Sequence, residues 1–67
     1  MTNTEALEHK ILSAKILKRD LAKALNISET CLYSKLSNRR EFKASEICKL
    51  RDVLDLSVAE TVDIFLQ

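Results

Sequence analysis

Glycine and proline are both missing from this chain. Glycine enters the left-handed backbone region without steric penalty, and proline presets the φ of a turn. Every reversal must therefore be made by an ordinary L-residue. Asn tolerates the left-handed conformation best, and Asn, Ser and Asp also hydrogen-bond to their own neighbouring backbone. Asn3, Asn26 and Asn38 thereby become the informative punctuation marks.

Between those marks the apolar residues recur at helical spacing. The first helix is expected over about Thr4 to Ala14, with Leu7 and Ile11 on one face and capping-box spacing between Thr2 and Glu5. A second runs over about Lys18 to Leu25, with Leu21, Ala24 and Leu25 in phase, and Asn26 ends it where a left-handed residue is wanted. A third starts after Ser28 as N-cap, runs to about Ser37, and buries the i, i+4 pair Leu32 and Leu36. Ser37 to Glu41 reads as a polar loop. A fourth helix covers about Ala44 to Leu54, with Ile47, Leu50 and Leu54 inward. The capping box Ser57-Val58-Ala59-Glu60 opens a fifth, which carries Val58, Val62 and Phe65. No useful strand alternation interrupts this pattern. The expected fold class is all-α, a compact five-helix bundle forming a single domain over residues 1–67. Its expected core includes Leu21, Leu25, Ile27, Leu32, Leu36, Ile47, Leu50 and Phe65.

At 67 residues the chain buries only about 60% of the surface its unfolded form exposes, which leaves little room for a deep pocket. No paired carboxylates, Cys–His arrangement or glycine-rich phosphate loop is present, so an enzyme, a cofactor and a small-molecule substrate are not expected. Cys31 and Cys48 do not form a Cys-x-x-Cys motif, and His9 alone cannot complete a zinc site with them. They are expected to be buried thiols in a reducing compartment, with His9 an exposed helix residue. No apolar run approaches the roughly 18 residues of a membrane span, and the first residues lack a signal-peptide pattern. A soluble, intracellular protein with no membrane partner is the expectation.

Charge is unevenly spread. Residues 1–49 carry ten basic and six acidic groups, whereas Arg51 stands against Asp52, Asp55, Glu60 and Asp63 in residues 50–67. A basic body with an acidic C-terminal end suits a moderately anionic partner on one side, but falls short of a strong nonspecific DNA binder.

The segment Lys18-Arg19-Asp20-Leu21-Ala22-Lys23-Ala24-Leu25-Asn26-Ile27-Ser28-Glu29-Thr30-Cys31-Leu32 meets the demands of a helix-turn-helix in register. Ala22 is small where two helices would touch, Asn26 makes the turn, Ile27 plugs it into the core, and Leu21, Leu25 and Leu32 hold the pair together. The segment resembles the phage Cro and repressor type of helix-turn-helix domain, the lambda repressor-like fold. The resemblance extends through Phe42-Lys43-Ala44-Ser45-Glu46-Ile47 and Val53-Leu54-Asp55-Leu56-Ser57. Within that family the chain is similar to small regulators from lysis–lysogeny switches of temperate phages of Gram-positive bacteria, a group that includes Cro-like proteins and a modulator of repression. It departs from the family pattern in three places. Asn26 stands for the usual turn glycine, Leu17-Lys18 for the usual Thr-Gln, and Leu36 is buried where the common pattern buries the preceding residue. A lysine holds a phosphate but cannot make the two-pronged contact to adenine that glutamine makes.

Carried over by position, the resemblance puts Ser28, Glu29, Thr30, Tyr33 and Ser34 on the outward face of a recognition helix. Lys18 and Arg19 open the helix before it, and Asn38, Arg39, Arg40 and Lys43 lie in and after the loop that follows it, where phosphates are clamped. For Lys18, Arg19, Arg39 and Arg40 the alternative is solvated surface charge, and for Tyr33 a half-buried place in the core. The run Ile64-Phe65-Leu66 is wider than one helix face needs, so it either packs a frayed end or meets a partner.

Two functions follow as expectations. The resemblance implies a Cro-like transcriptional regulator in the cytoplasm of a bacterial host, binding double-stranded operator DNA as a homodimer with half-sites about 34 Å apart. The alternative is a modulator or antirepressor that binds the phage's main repressor protein. Glu29 on the recognition face and the acidic end favour it, with Glu29, Asp63, Phe65 and Leu66 as contacts.

Overall fold

Four residues with positive φ close four helices in the same way: Lys15 (57°), Asn26 (58°), Asn38 (62°) and Asp55 (53°). In each case the next backbone N–H donates to a carbonyl five residues earlier. The bonds are Ile16 to Ile11 at 3.5 Å, Ile27 to Ala22 at 3.0 Å, Arg39 to Ser34 at 2.9 Å and Leu56 to Arg51 at 3.0 Å. This 6→1 bond satisfies carbonyls that a helix end leaves free, and it turns the chain sharply. Asn26 and Asn38 fill the left-handed role expected of them. Asp55 shares a weaker form of the same tolerance, whereas Lys15 adopts the conformation with no such local preference, so packing of the flanking segments imposes it there.

The computed structural model describes residues 2–66, which form five helices and no strand among the described residues. They are α1 (Thr4–Ala14), α2 (Lys18–Ala24), α3 (Glu29–Leu36), α4 (Ala44–Leu54) and α5 (Val58–Phe65). The expected ends of α1 and α4 hold, while α2 and α3 each stop a residue earlier, at Ala24 and Leu36. The cap of α1 is not the expected Thr2–Glu5 box. Asn3 takes the N-cap position, and its Oδ1 accepts from the Ala6 N–H at 3.2 Å. Thr2 is buried instead, and the Asn3 N–H donates to the Ile64 carbonyl at 2.7 Å, fastening the start of the chain to α5.

The core takes one fully buried aliphatic residue from every helix: Leu7, Leu21, Leu32, Leu50 and Ile64. Burying such a side chain contributes about 1.5–3 kcal/mol, so the five helices are held at one shared point. Ile11, Ala22, Leu25, Leu36, Phe42, Leu54, Leu56 and Phe65 surround it, and the rings of Phe42 and Phe65 meet edge to face with centroids 5.8 Å apart. The radius of gyration is 10.6 Å, against about 11 Å for a compact chain of this length.

Several burial expectations need correction. Ile27 and Ile47 are only half-buried, because they pack on the margin of the cluster. Ala24 is exposed. Cys31 is half-buried and Cys48 exposed, both as free thiols, since α4 turns the Cys48 side outward and Leu50 inward. The run at the end of α5 divides: Ile64 and Phe65 face the core and Leu66 is 71% exposed.

Candidate nucleic-acid interface

The second and third helices are short and joined by residues 25–28. Asn26 turns the chain, and Ser28 caps α3 by accepting the Cys31 N–H on its hydroxyl at 3.0 Å. Leu32 and Leu36 fix the inner side of α3 against the core. The helical period therefore leaves Glu29, Thr30 and Tyr33 exposed and Ser34 half-exposed. Thr30, Tyr33, Ser34, Ser37 and Arg39 line one open concavity along this face. Of these, Ser37 escaped the sequence reading; it follows α3 at the spacing of Thr30, Tyr33 and Ser34, which was the signal available. Tyr33 is half-exposed at 50%, so its phenol is not a core residue.

The loop after α3 is held at both ends. Asn38, left-handed, donates its side-chain amide to the Thr2 carbonyl at 3.2 Å. That amide is engaged inside the protein, so Asn38 serves as an anchor of the loop. At the other end Phe42 is buried and the Lys43 N–H donates to Glu46 Oε1 at 2.8 Å. Between these anchors Arg39, Arg40 and Glu41 are exposed, and so is Lys43. Arg40 also donates from Nη1 to the Cys31 sulfur at 3.4 Å, which leans it back toward the first turn of α3.

The two cations at the start of α2 are placed less freely. Lys18 is half-buried, donates to Glu8 Oε2 at 3.0 Å, and stands 5.3 Å from the centre of the Tyr33 ring. Its ammonium is thus paired with Glu8 of α1 and lies near the ring face. Arg19 is exposed, with Asp20 Oδ1 at the loose distance of 4.0 Å. Net positive potential on this side therefore comes chiefly from Arg39, Arg40 and Lys43, set against Glu29 and Glu41.

A buried ion pair beneath the loop was not anticipated. Lys35 of α3 donates its ammonium to Glu46 of α4, and the two residues are 4% and 5% exposed. The Lys35 ammonium also lies 5.9 Å from the centre of the Phe42 ring. Burial acts to raise the Glu46 carboxyl, but the Lys35 hydrogen bond and the Lys43 N–H outweigh it and hold the group below its ordinary value. The one sequence signal was a lysine beside the inward positions Leu32 and Leu36.

The proposed partner contacts divide. Glu29, Asp63 and Leu66 are exposed. Phe65 is not available, because it is buried against Phe42 in the core. Val58 and Val62 of α5 and Leu66 at its C-cap, spaced four residues apart, are 66%, 43% and 71% exposed and form an apolar stripe beside Asp63. No three or more His, Cys, Asp or Glu residues are grouped to hold a metal among the described residues, and no helix there is long and apolar enough to cross a membrane.

Fold and site together define a small five-helix domain that presents a hydroxyl-rich helix face next to a cationic, doubly anchored loop. The chain belongs to the DUF739 family, whose model, described as a protein of unknown function, matches residues 4–67. No curated protein and no solved structure matches it.

Proposed function

We propose that this protein is a Cro-like helix-turn-helix regulator that binds operator DNA. In this reading α2 and α3 form the helix-turn-helix, α3 enters the major groove, and the loop that follows it grips the phosphate backbone. The observation that carries it is the concavity lined by Thr30, Tyr33, Ser34, Ser37 and Arg39, which runs from the polar face of α3 onto the loop. Hydroxyls of Thr30 and Ser34 would read base edges, and Arg39, Arg40 and Lys43 would contact phosphates without regard to sequence. Ser28 lends its hydroxyl to the α3 cap, which fixes the first turn of the helix whose N-terminal end would approach the DNA.

A second reading is favoured by one observation, the apolar stripe Val58–Val62–Leu66 on an acidic α5. A soluble helix normally turns its polar side to water. Here the outer side is apolar and flanked by Asp63, which suits a partner with an apolar face and basic edges. The phage's main repressor would be that partner, with Glu29, Asp63 and Leu66 as contacts.

A single experiment separates these readings. Gel-shift titrations on duplex DNA over a range of salt are run for the wild type and for Arg39→Ala with Arg40→Ala, with and without the purified repressor. The DNA reading expects the double variant to bind every sequence more weakly, with a salt slope flatter by about one to two units at about 0.9 per phosphate contact. An unchanged slope removes the loop from the interface. Shifted bands only when the repressor is present favour the modulator.

A further inference from the structure

We propose that Glu46 is the positioning residue of the phosphate-gripping loop, and that Lys35 is buried to hold it there. The proposal rests on the reading of Arg39, Arg40 and Lys43 as backbone contacts, and it adds the device that sets their geometry.

One carboxylate ties together three elements. Glu46 Oε1 accepts the Lys43 N–H at 2.8 Å and also takes the ammonium of Lys35. Lys43 is the last residue of the loop and the N-cap of α4, Lys35 belongs to α3, and Glu46 to the first turn of α4. The loop's two arginines therefore sit between a left-handed Asn38 fastened to the Thr2 carbonyl and a Lys43 fastened to Glu46.

Stability alone does not account for an ion pair in this place. Two charged side chains only 5% and 7% exposed give up most of their hydration, and well-packed apolar residues of similar volume generally do as well or better. Apolar residues would also fill the gap beside Phe42. What they could not supply is an acceptor for the Lys43 N–H. A buried glutamate supplies one, and Lys35 makes its burial tolerable, because a charged group out of water needs a paired counter-charge. The lysine also lies on the inner side of α3, so the position of the loop is locked to the helix whose face it flanks. A loop fixed relative to α3 presents its phosphate contacts in register with whatever that helix reads, and such preorganisation reduces the ordering required on binding.

The test compares two variants that both remove the buried ammonium. Lys35→Met with Glu46→Gln keeps a neutral acceptor for the Lys43 N–H; Lys35→Met with Glu46→Leu removes it. Backbone relaxation and amide exchange are measured without DNA, followed by gel shifts on random duplex. Glutamine is expected to preserve rigid order parameters of about 0.85 across residues 39–43, and leucine to let them fall toward about 0.6. Both variants should keep the wild-type α3 signals, and the leucine variant should bind duplex several-fold more weakly than the glutamine one. Equal loop order in the two variants overturns the proposal. So does a Lys43 amide that exchanges in the wild type as fast as an open loop, a reading that survives even if a variant fails to fold. If the loop behaves as expected but wild-type protein ignores DNA, the positioning stands and the nucleic-acid reading falls.

Discussion

The fourth and fifth helices begin with the same device in different surroundings. In each, the glutamate three residues after the N-cap accepts the N-cap's backbone N–H: Glu46 from Lys43 at 2.8 Å and Glu60 from Ser57 at 2.9 Å. Each glutamate also takes the ammonium of a lysine from another helix, Lys35 of α3 for Glu46 and Lys10 of α1 for Glu60. The first pair is buried, and the second has side chains 37% and 36% exposed. The same hydrogen bonds therefore join α4 to the inner side of α3 through a desolvated network, and α5 to α1 through one open to water. Where water can replace a partner, losing it costs little; where it cannot, the remaining group is stranded. The α3–α4 side is thereby built to a fixed geometry, while the α1–α5 side tolerates change and leaves apolar residues at its surface.

The largest expected difference between the two sites comes from truncating each glutamate. Glu46→Ala leaves the Lys35 ammonium buried without its counter-charge, and should cost about 3 kcal/mol. That is the low end for a severed buried pair, because the lysine stem can carry its charge partway to solvent. A domain of this size has only about 3–10 kcal/mol in total, so the loss removes about a third of it or more. Glu60→Ala should shift the urea midpoint far less, since its lysine stays hydrated. Equal shifts in the two variants would erase the contrast between the sites.

Acid sharpens the comparison. Glu60 is lowered from 4.5 to about 2, first by the Lys10 hydrogen bond and then by the Ser57 N–H. The folded form thus binds fewer protons than the unfolded chain, and stability must fall as pH falls. The contribution of Glu60 is fully present above about pH 4.5 and is lost as the pH approaches 2. Glu46 is also lowered and works in the same direction. Thermal midpoints of the wild type and Glu60→Gln are expected to lie apart at neutral pH and to converge between about pH 4.5 and 2. A gap that stays constant on acidification would mean the pair does not form in solution.

The sequence made one of these devices visible and hid the other. Ser57-x-x-Glu60 is legible because serine is a good N-cap, and Leu7, Ile11, Leu50 and Leu54 mark helix faces through simple spacing. Lys43-x-x-Glu46 carries no such sign, for a lysine side chain cannot accept a hydrogen bond. The partner of Glu46 lies eleven residues away on another helix, and only the packing of α3 on α4 brings the two together. The left-handed Asn26 and Asn38 could be read from residue type, and Asp55 carries a weaker form of the same preference, whereas Lys15 could not, because its conformation comes from the chain on either side. For the candidate interface, the resemblance supplied the outward positions of α3, and Glu29, Thr30 and Tyr33 are exposed there. It did not reveal that Lys18 is paired with Glu8, that Asn38 holds Thr2, or that Phe65 lies inside.

The smallest effect follows from making the two helix starts alike. Lys43 already has the extended backbone of an N-cap, φ −75° and ψ 156°, close to the −72° and 166° of Ser57, but no side-chain acceptor. In Lys43→Ser the hydroxyl would take the Glu46 N–H, as Ser57 Oγ takes that of Glu60 at 3.1 Å, and the Lys43 N–H bond to Glu46 would be kept. A new cap of this kind stabilises by about 0.5–1 kcal/mol, so the thermal midpoint should rise by a few degrees. The same change deletes one of the three loop cations, which on the proposed DNA reading should weaken binding to every duplex alike and flatten the salt slope by about 0.9. A more stable protein that binds less well would show that the lysine is kept for its charge at some expense in stability. A rise in midpoint with no change in salt slope would place Lys43 outside the DNA contact and leave Arg39 and Arg40 as the grip.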